Sequence, residues 1–131
     1  MSDAQRRPEL KLDPNKTPAF TAEDMTTYLQ GAPQCSLGPT LSGLPPTVES
    51  VEFVGCKELT DRLNVSIGLA DDAPVCHVVL RGPFHLTKIS VPPGYRNPGP
   101  AICPTVEEIY NGRTGRLLVV AAGTFKPRPG Y

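Results

Sequence analysis

The sequence predicts an α+β domain: one main helix packed on a four- to five-stranded antiparallel sheet. Three observations predict it. The run Pro74-Val75-Cys76-His77-Val78-Val79-Leu80-Arg81-Gly82-Pro83-Phe84 is dense in β-branched and apolar residues and follows the turn-forming pair Asp71-Asp72, the character of a central strand. Residues 21–30 combine a capping signal with an apolar stripe, the character of a short amphipathic helix. The runs 105–110 and 116–122 flank Asn111-Gly112-Arg113-Thr114-Gly115, the character of a closing hairpin.

Composition sets the frame. A chain of 131 residues is one domain's worth, with 39% hydrophobic and 20% charged residues. Lys+Arg and Asp+Glu both number 13, so there is no basic field to gather nucleic acid and no polybasic membrane patch. With no Trp, four Tyr and four Phe, the chain also lacks the aromatic platform on which bases stack. The 16 prolines and 12 glycines point to a sheet with many loops. No apolar run approaches the roughly 20 residues of a membrane span. The start, Met1-Ser2-Asp3-Ala4-Gln5-Arg6-Arg7, leads into no signal-peptide core, so the chain reads as cytoplasmic. A secreted chain whose leader has been replaced by Met1 reads the same way.

In order, residues 1–19 read as an extended arm anchored only by Leu10 and Leu12, 20–122 as the domain, and 123–131 as a Pro-rich tail. Thr21-Ala22-Glu23-Asp24 is a capping box with Thr21 as N-cap, and Phe20 and Met25 stand where a hydrophobic staple closes. Ala22, Met25, Tyr28 and Leu29 form the stripe, Gly31 suits the C′ position, and Pro33 forbids continuation. Residues 31–47 read as loop. Residues 47–54 read as a half-buried strand, with Val51 and Phe53 on one face and Ser50 and Glu52 on the other. A second short helix is expected over 56–63, with Leu59 and Leu63 four apart, and then a loop to Pro74. In the central strand Cys76, Val78 and Leu80 face one way, and Val75, His77, Val79 and Arg81 the other. Gly82-Pro83 is either a turn or a bulge within one long strand, and Phe84, Leu86 and Ile89 continue it. Residues 91–100, rich in proline, read as a long exposed loop.

The chemical candidates are few. Cys76 and His77 look like a nucleophile beside a base, but successive strand residues point to opposite faces, so they form no dyad. The expectation is a buried Cys76 and an exposed His77. If Gly82-Pro83 is a turn, His77 and His85 approach each other, yet two histidines make a poor metal site. Glu107-Glu108 and Asp71-Asp72 are expected to be solvated charges. The cysteines at 35, 56, 76 and 103 lack any C-x-x-C pair, which argues against zinc, and free thiols are expected over the three possible two-bridge pairings. Asn64-Val65-Ser66 matches a glycosylation sequon that matters only in a secretory setting. No phosphate-cradling loop, G-x-S-x-G or H-E-x-x-H occurs. The expected catalytic, cofactor-binding and metal residues are therefore none.

Three segments carry a resemblance: Phe20-Thr21-Ala22-Glu23-Asp24, the strand Val75 to Phe84 of form V-C-x-V-x-L-x-G-x-F, and the hairpin end Thr114-Gly115-Arg116-Leu117-Leu118. Together they resemble a group of small uncharacterised bacterial proteins, which brings no activity with it. More distantly the hairpin is similar to that of PepSY domains, although Asn111 or Gly112 stands where their turn carries Asp. That resemblance implies a helix on an antiparallel sheet, in a cystatin-like or PepSY-like arrangement, and a binding or inhibitory role. The functional expectation is a non-catalytic interaction module with a protein or peptide partner, or one that self-associates. The alternative is a small enzyme using Cys76 or His77.

Overall fold

The run from Pro74 is one strand, and it lies inside the sheet with a partner along each side. A computed structural model describes residues 10–86 and 101–122. Its elements are α1 (Ala22–Leu29), β1 (Gln34–Cys35), β2 (Gly38–Pro39), β3 (Thr47–Gly55), α2 (Cys56–Leu63), β4 (Pro74–Leu86), β5 (Ala101–Asn111) and β6 (Leu117–Ala122). The main sheet runs β3-β4-β5-β6 with every neighbouring pair antiparallel, and β1-β2 is a separate ribbon. This is the expected α+β architecture. Among the described residues no helix is long and apolar enough to cross a membrane.

The helix α1 starts where its capping box places it. The Thr21 hydroxyl accepts from the Asp24 N–H at 3.0 Å, and the Asp24 carboxylate accepts from the Thr21 N–H at 3.0 Å. Phe20, Met25 and Leu29 are buried in one core with Cys76, Val78 and Leu80 of β4 and Val106 and Tyr110 of β5. Ala22, assigned to the stripe, is exposed. Gly31 does not adopt the left-handed cap conformation. The helix ends instead at Gln30, whose N–H donates to the Thr26 carbonyl.

The second helix covers the opposite face. Cys56, Leu59 and Leu63 share a core with Val75 and Ile109, whose side chains leave the sheet away from α1. So the middle of the β4–β5 pair is covered on both sides. Such double cover is the usual setting of near-continuous apolar strands, and it explains why β4 reads that way.

Three loop readings change. The segment 31–47 holds the β1-β2 ribbon, and Thr40 makes a bridge to Phe84, so the ribbon is laid against β4. Two-residue strands carry no period-two signal, which is why glycine and proline dominated that reading. At Gly82-Pro83 the bulge is realised and the turn is not. The pairing steps from Arg81↔Thr105 to Phe84↔Cys103, adding one residue to β4. A Cβ on Gly82 would lie 2.4 Å from the Phe84 nitrogen, so only glycine fits. The shift directs Cys103 toward the α1 core and leaves Ile102 63% exposed. Lastly, the arm is partly bound to the domain. Leu10 packs on the core and the Ala19 N–H donates to Gly112 O at 2.8 Å, while Leu12 remains 46% exposed. Residues 1–9, Ile89, 91–100 and the tail 123–131 lie outside the described residues.

The capping box generates a prediction. Removing the hydroxyl in Thr21→Ala is expected to cost about 1 kcal/mol of unfolding free energy. The Thr21 backbone N–H, then its hydroxyl, hold the Asp24 carboxyl below its ordinary value. A depressed folded value stabilises above the unfolded pKa and is lost as pH falls through the folded one. Denaturant unfolding at neutral and acid pH should therefore show a smaller acid loss for Asp24→Asn than for the parent chain.

Candidate functional site

The polar interior is carried by His77 of β4 and by Glu107, Glu108 and Tyr110 of β5. Cys76 pairs with Tyr110 and His77 with Ile109, while Val78 pairs with Glu108 and Val79 with Glu107. Alternation then sorts them. Cys76, Glu108 and Tyr110 turn toward α1, and His77 and Glu107 turn toward the face that α2 shares.

On the α1 side, Glu108 is fully buried. Its Oε1 accepts the Tyr110 hydroxyl at 2.6 Å and its Oε2 accepts the Ser36 N–H at 2.8 Å. Ser36 begins the two-residue turn of the β1-β2 ribbon, so this carboxylate fastens the ribbon to the sheet. Hydrogen bonds to a charged group contribute about 1.5–3 kcal/mol each, and stripping a carboxylate of water costs several kcal/mol. Both donors therefore offset the cost of burying this carboxylate. Tyr110 is steadied by Tyr28, whose ring meets it edge-on at 6.2 Å. The Ser36 Oγ is buried and finds no hydrogen-bond partner among the described residues.

On the other side, His77 Nε2 and Glu107 Oε1 lie 2.9 Å apart. Both side chains are nearly buried, at 10% and 5% exposure. They meet diagonally across the strands, since neither is the other's direct partner. Glu52, opposite His77 on β3, is exposed and bonded to Arg62 of α2 at 3.0 Å.

These positions correct two expectations. His77 is buried at 8% exposure, because it finds a carboxylate within its own face. Glu107 and Glu108 are interior residues and not solvated charges, because the middle of the β4–β5 pair is covered on both faces and a Glu of either parity meets a partner there. Asp71-Asp72 does lie in an exposed turn. His77 and His85 are not brought together, since β4 runs straight on through the bulge. The missed signal was in Thr105-Val106-Glu107-Glu108-Ile109-Tyr110. Each parity there mixes one Glu with bulky apolar neighbours, so neither face of the strand is the wet one.

The site's chemistry follows from its two-sided layout. The Cys76 thiol and the His77–Glu107 pair lie on opposite faces, so histidine does not activate that sulfur. Burial pushes the Cys76 thiol up to about 12. All four cysteines are free, and Cys35, Cys56 and Cys76 are buried. Among the described residues no three His, Cys, Asp or Glu side chains gather to hold a metal ion. The chain matches no family model, curated protein or solved structure, so the functional reading rests on this geometry.

Three outcomes are expected. Tyr110→Phe leaves a buried carboxylate short of a donor and should cost about 1–3 kcal/mol, measured by denaturant unfolding. In a timed thiol-labelling assay Cys76 should stay unmodified in the native protein and react on denaturation. Because the folded thiol titrates higher than the unfolded one, its contribution to stability is full at neutral pH. It should fade as pH rises above the ordinary value of 9.0 toward about 12.

Proposed function

We propose that the chain is a non-catalytic interaction module whose contact surface is the outer edge of β6, paired with β6 of a second copy. The observation that carries the reading is the contrast between the two edges of the sheet. Natural sheets guard an edge with charge, bulges or proline. The β3 edge is guarded. It exposes Glu49, Ser50 and Glu52, it carries a register shift between Val48 and Ser50, and Arg81 and Arg62 pair with Glu49 and Glu52. β6 carries a register shift as well, at Leu118, so the edges differ in charge: β6 reads Leu117-Leu118-Val119-Val120-Ala121-Ala122, with no charge and no proline.

The occupant follows from the faces of that strand. Residues 118–121 are only half-buried, Val120 against the α1 core and Leu118 and Val119 against the α2 core. A strand added beside β6 must therefore be apolar on both faces, whereas a strand with one solvated face alternates. Another β6 meets that requirement and would extend both cores across a two-fold axis. Antiparallel pairing also keeps the two Arg116 residues at opposite ends, whereas parallel pairing would set them side by side. The enzyme alternative through Cys76 needs a thiolate, and the burial of that sulfur opposes one.

A centred antiparallel pair places Leu117 opposite Ala122 of the second copy. Both residues are exposed in the single chain. Light scattering over a concentration series should show a dimer for the parent chain. L117K/A122K, which sets lysines opposite each other, should weaken it by at least about tenfold, and L117K/A122E should restore it. A parent chain that stays monomeric at high concentration, or a dimer indifferent to both variants, would overturn the reading.

A further inference from the structure

We propose that Asn111 is a spontaneous deamidation site that the fold keeps latent, so that its conversion records opening of the β4–β5 end. The inference is independent of the β6 pairing. An asparagine followed by glycine is chemically exposed, because no side chain screens the next backbone nitrogen. Asn111 precedes Gly112, whereas Asn15 and Asn64 precede Lys16 and Val65. In the reaction, Gly112 N gives its proton to solvent base and attacks Asn111 Cγ. The new N–C bond closes a succinimide, the bond to the carboxamide nitrogen breaks, and ammonia leaves. Water then adds to one of the two ring carbonyls and reopens it as aspartate or isoaspartate at position 111.

The folded turn blocks each requirement. The attacking nitrogen is committed, since the Gly112 N–H donates to Pro74 O at 2.8 Å. The next peptide is held as well, since Gly112 O accepts the Ala19 N–H at 2.8 Å. The carboxamide is also held, its Oδ1 accepting from Arg113 N at 2.8 Å and Thr114 N at 3.3 Å. Asn111 N–H donates to Arg116 O and Asn111 O accepts from Gly115 N, each at 2.8 Å. Ring closure must rotate the carboxamide carbon onto Gly112 N, which breaks both Oδ1 bonds, and the attack itself breaks the Gly112 N–H bond to Pro74 O.

Glycine cannot be avoided here. A Cβ at 112 would stand 2.8 Å from Pro74 O and 2.9 Å from Pro74 Cβ. The close approach that closes the hairpin onto β4 thus demands the residue that makes Asn111 labile. The two products also differ in fate. Aspartate keeps the side-chain acceptor and the backbone length. Isoaspartate adds one methylene to the backbone and cannot keep the Arg116 and Gly115 bonds together, so it loses the hairpin.

The test incubates the full chain in mildly alkaline buffer, folded and in urea, and follows position 111 by peptide mapping and mass spectrometry. Conversion of the folded chain should be at least about tenfold slower than in urea, with Asn64 changing little in either. Hydrogen exchange at the Gly112 amide should be slow in the same folded sample. After removal of urea, chains carrying aspartate should recover the native circular dichroism and chains carrying isoaspartate should not. A rate difference below tenfold, or a Gly112 amide that exchanges freely in the folded chain, would overturn the proposal.

Discussion

The structure depends on a constraint at the middle of the β4–β5 pair: both faces are covered there, so an inward side chain cannot leave its polar atoms to water. An unmatched polar group there would cost about 1–3 kcal/mol, a large part of the stability of a small domain. Each polar residue on these strands is therefore tied to a particular neighbour. Glu108 takes Tyr110 and the Ser36 peptide, and Glu107 takes His77. The apolar residues around them supply most of the burial. The polar ones help decide which segment lies over which part of the sheet, and the ribbon at 34–39 is fastened by the Glu108 carboxylate together with the Thr40–Phe84 bridge.

The fold was readable where the physics is local. The capping box at Thr21 and Asp24, the helix at Cys56–Leu63 and the long strand from Pro74 carry their causes within a few residues of themselves. What escaped depended on distant partners. His77 and Glu107 are thirty positions apart and Ser36 and Glu108 seventy-two, separations at which no spacing rule operates. The usual exposure of glutamate then favoured the wrong environment for both carboxylates. The ribbon was lost for a different reason, since two-residue strands are too short to show alternation.

The candidate chemistry divides in the same way. That Cys76 and His77 cannot act on each other was legible, because alternation along a strand is geometry that needs no partner. That His77 has a carboxylate waiting on β5 was not. Its sulfur neighbour is consequently an interior filler, and the histidine an interior tie. The asymmetry between the two sheet edges was also written in the chain, as glutamates in one strand and their absence in the other. It acquires meaning only once the order of strands places both at the margins.

The bulge at Gly82 has an evolutionary consequence. Pairing before it and pairing after it are offset by one residue, and both halves of β4 bury side chains in the same core. Losing or gaining a single codon between Pro74 and Leu86 would slip one half relative to the other and turn its core residues outward. Lineages descended from this sequence should hold the length of that strand constant.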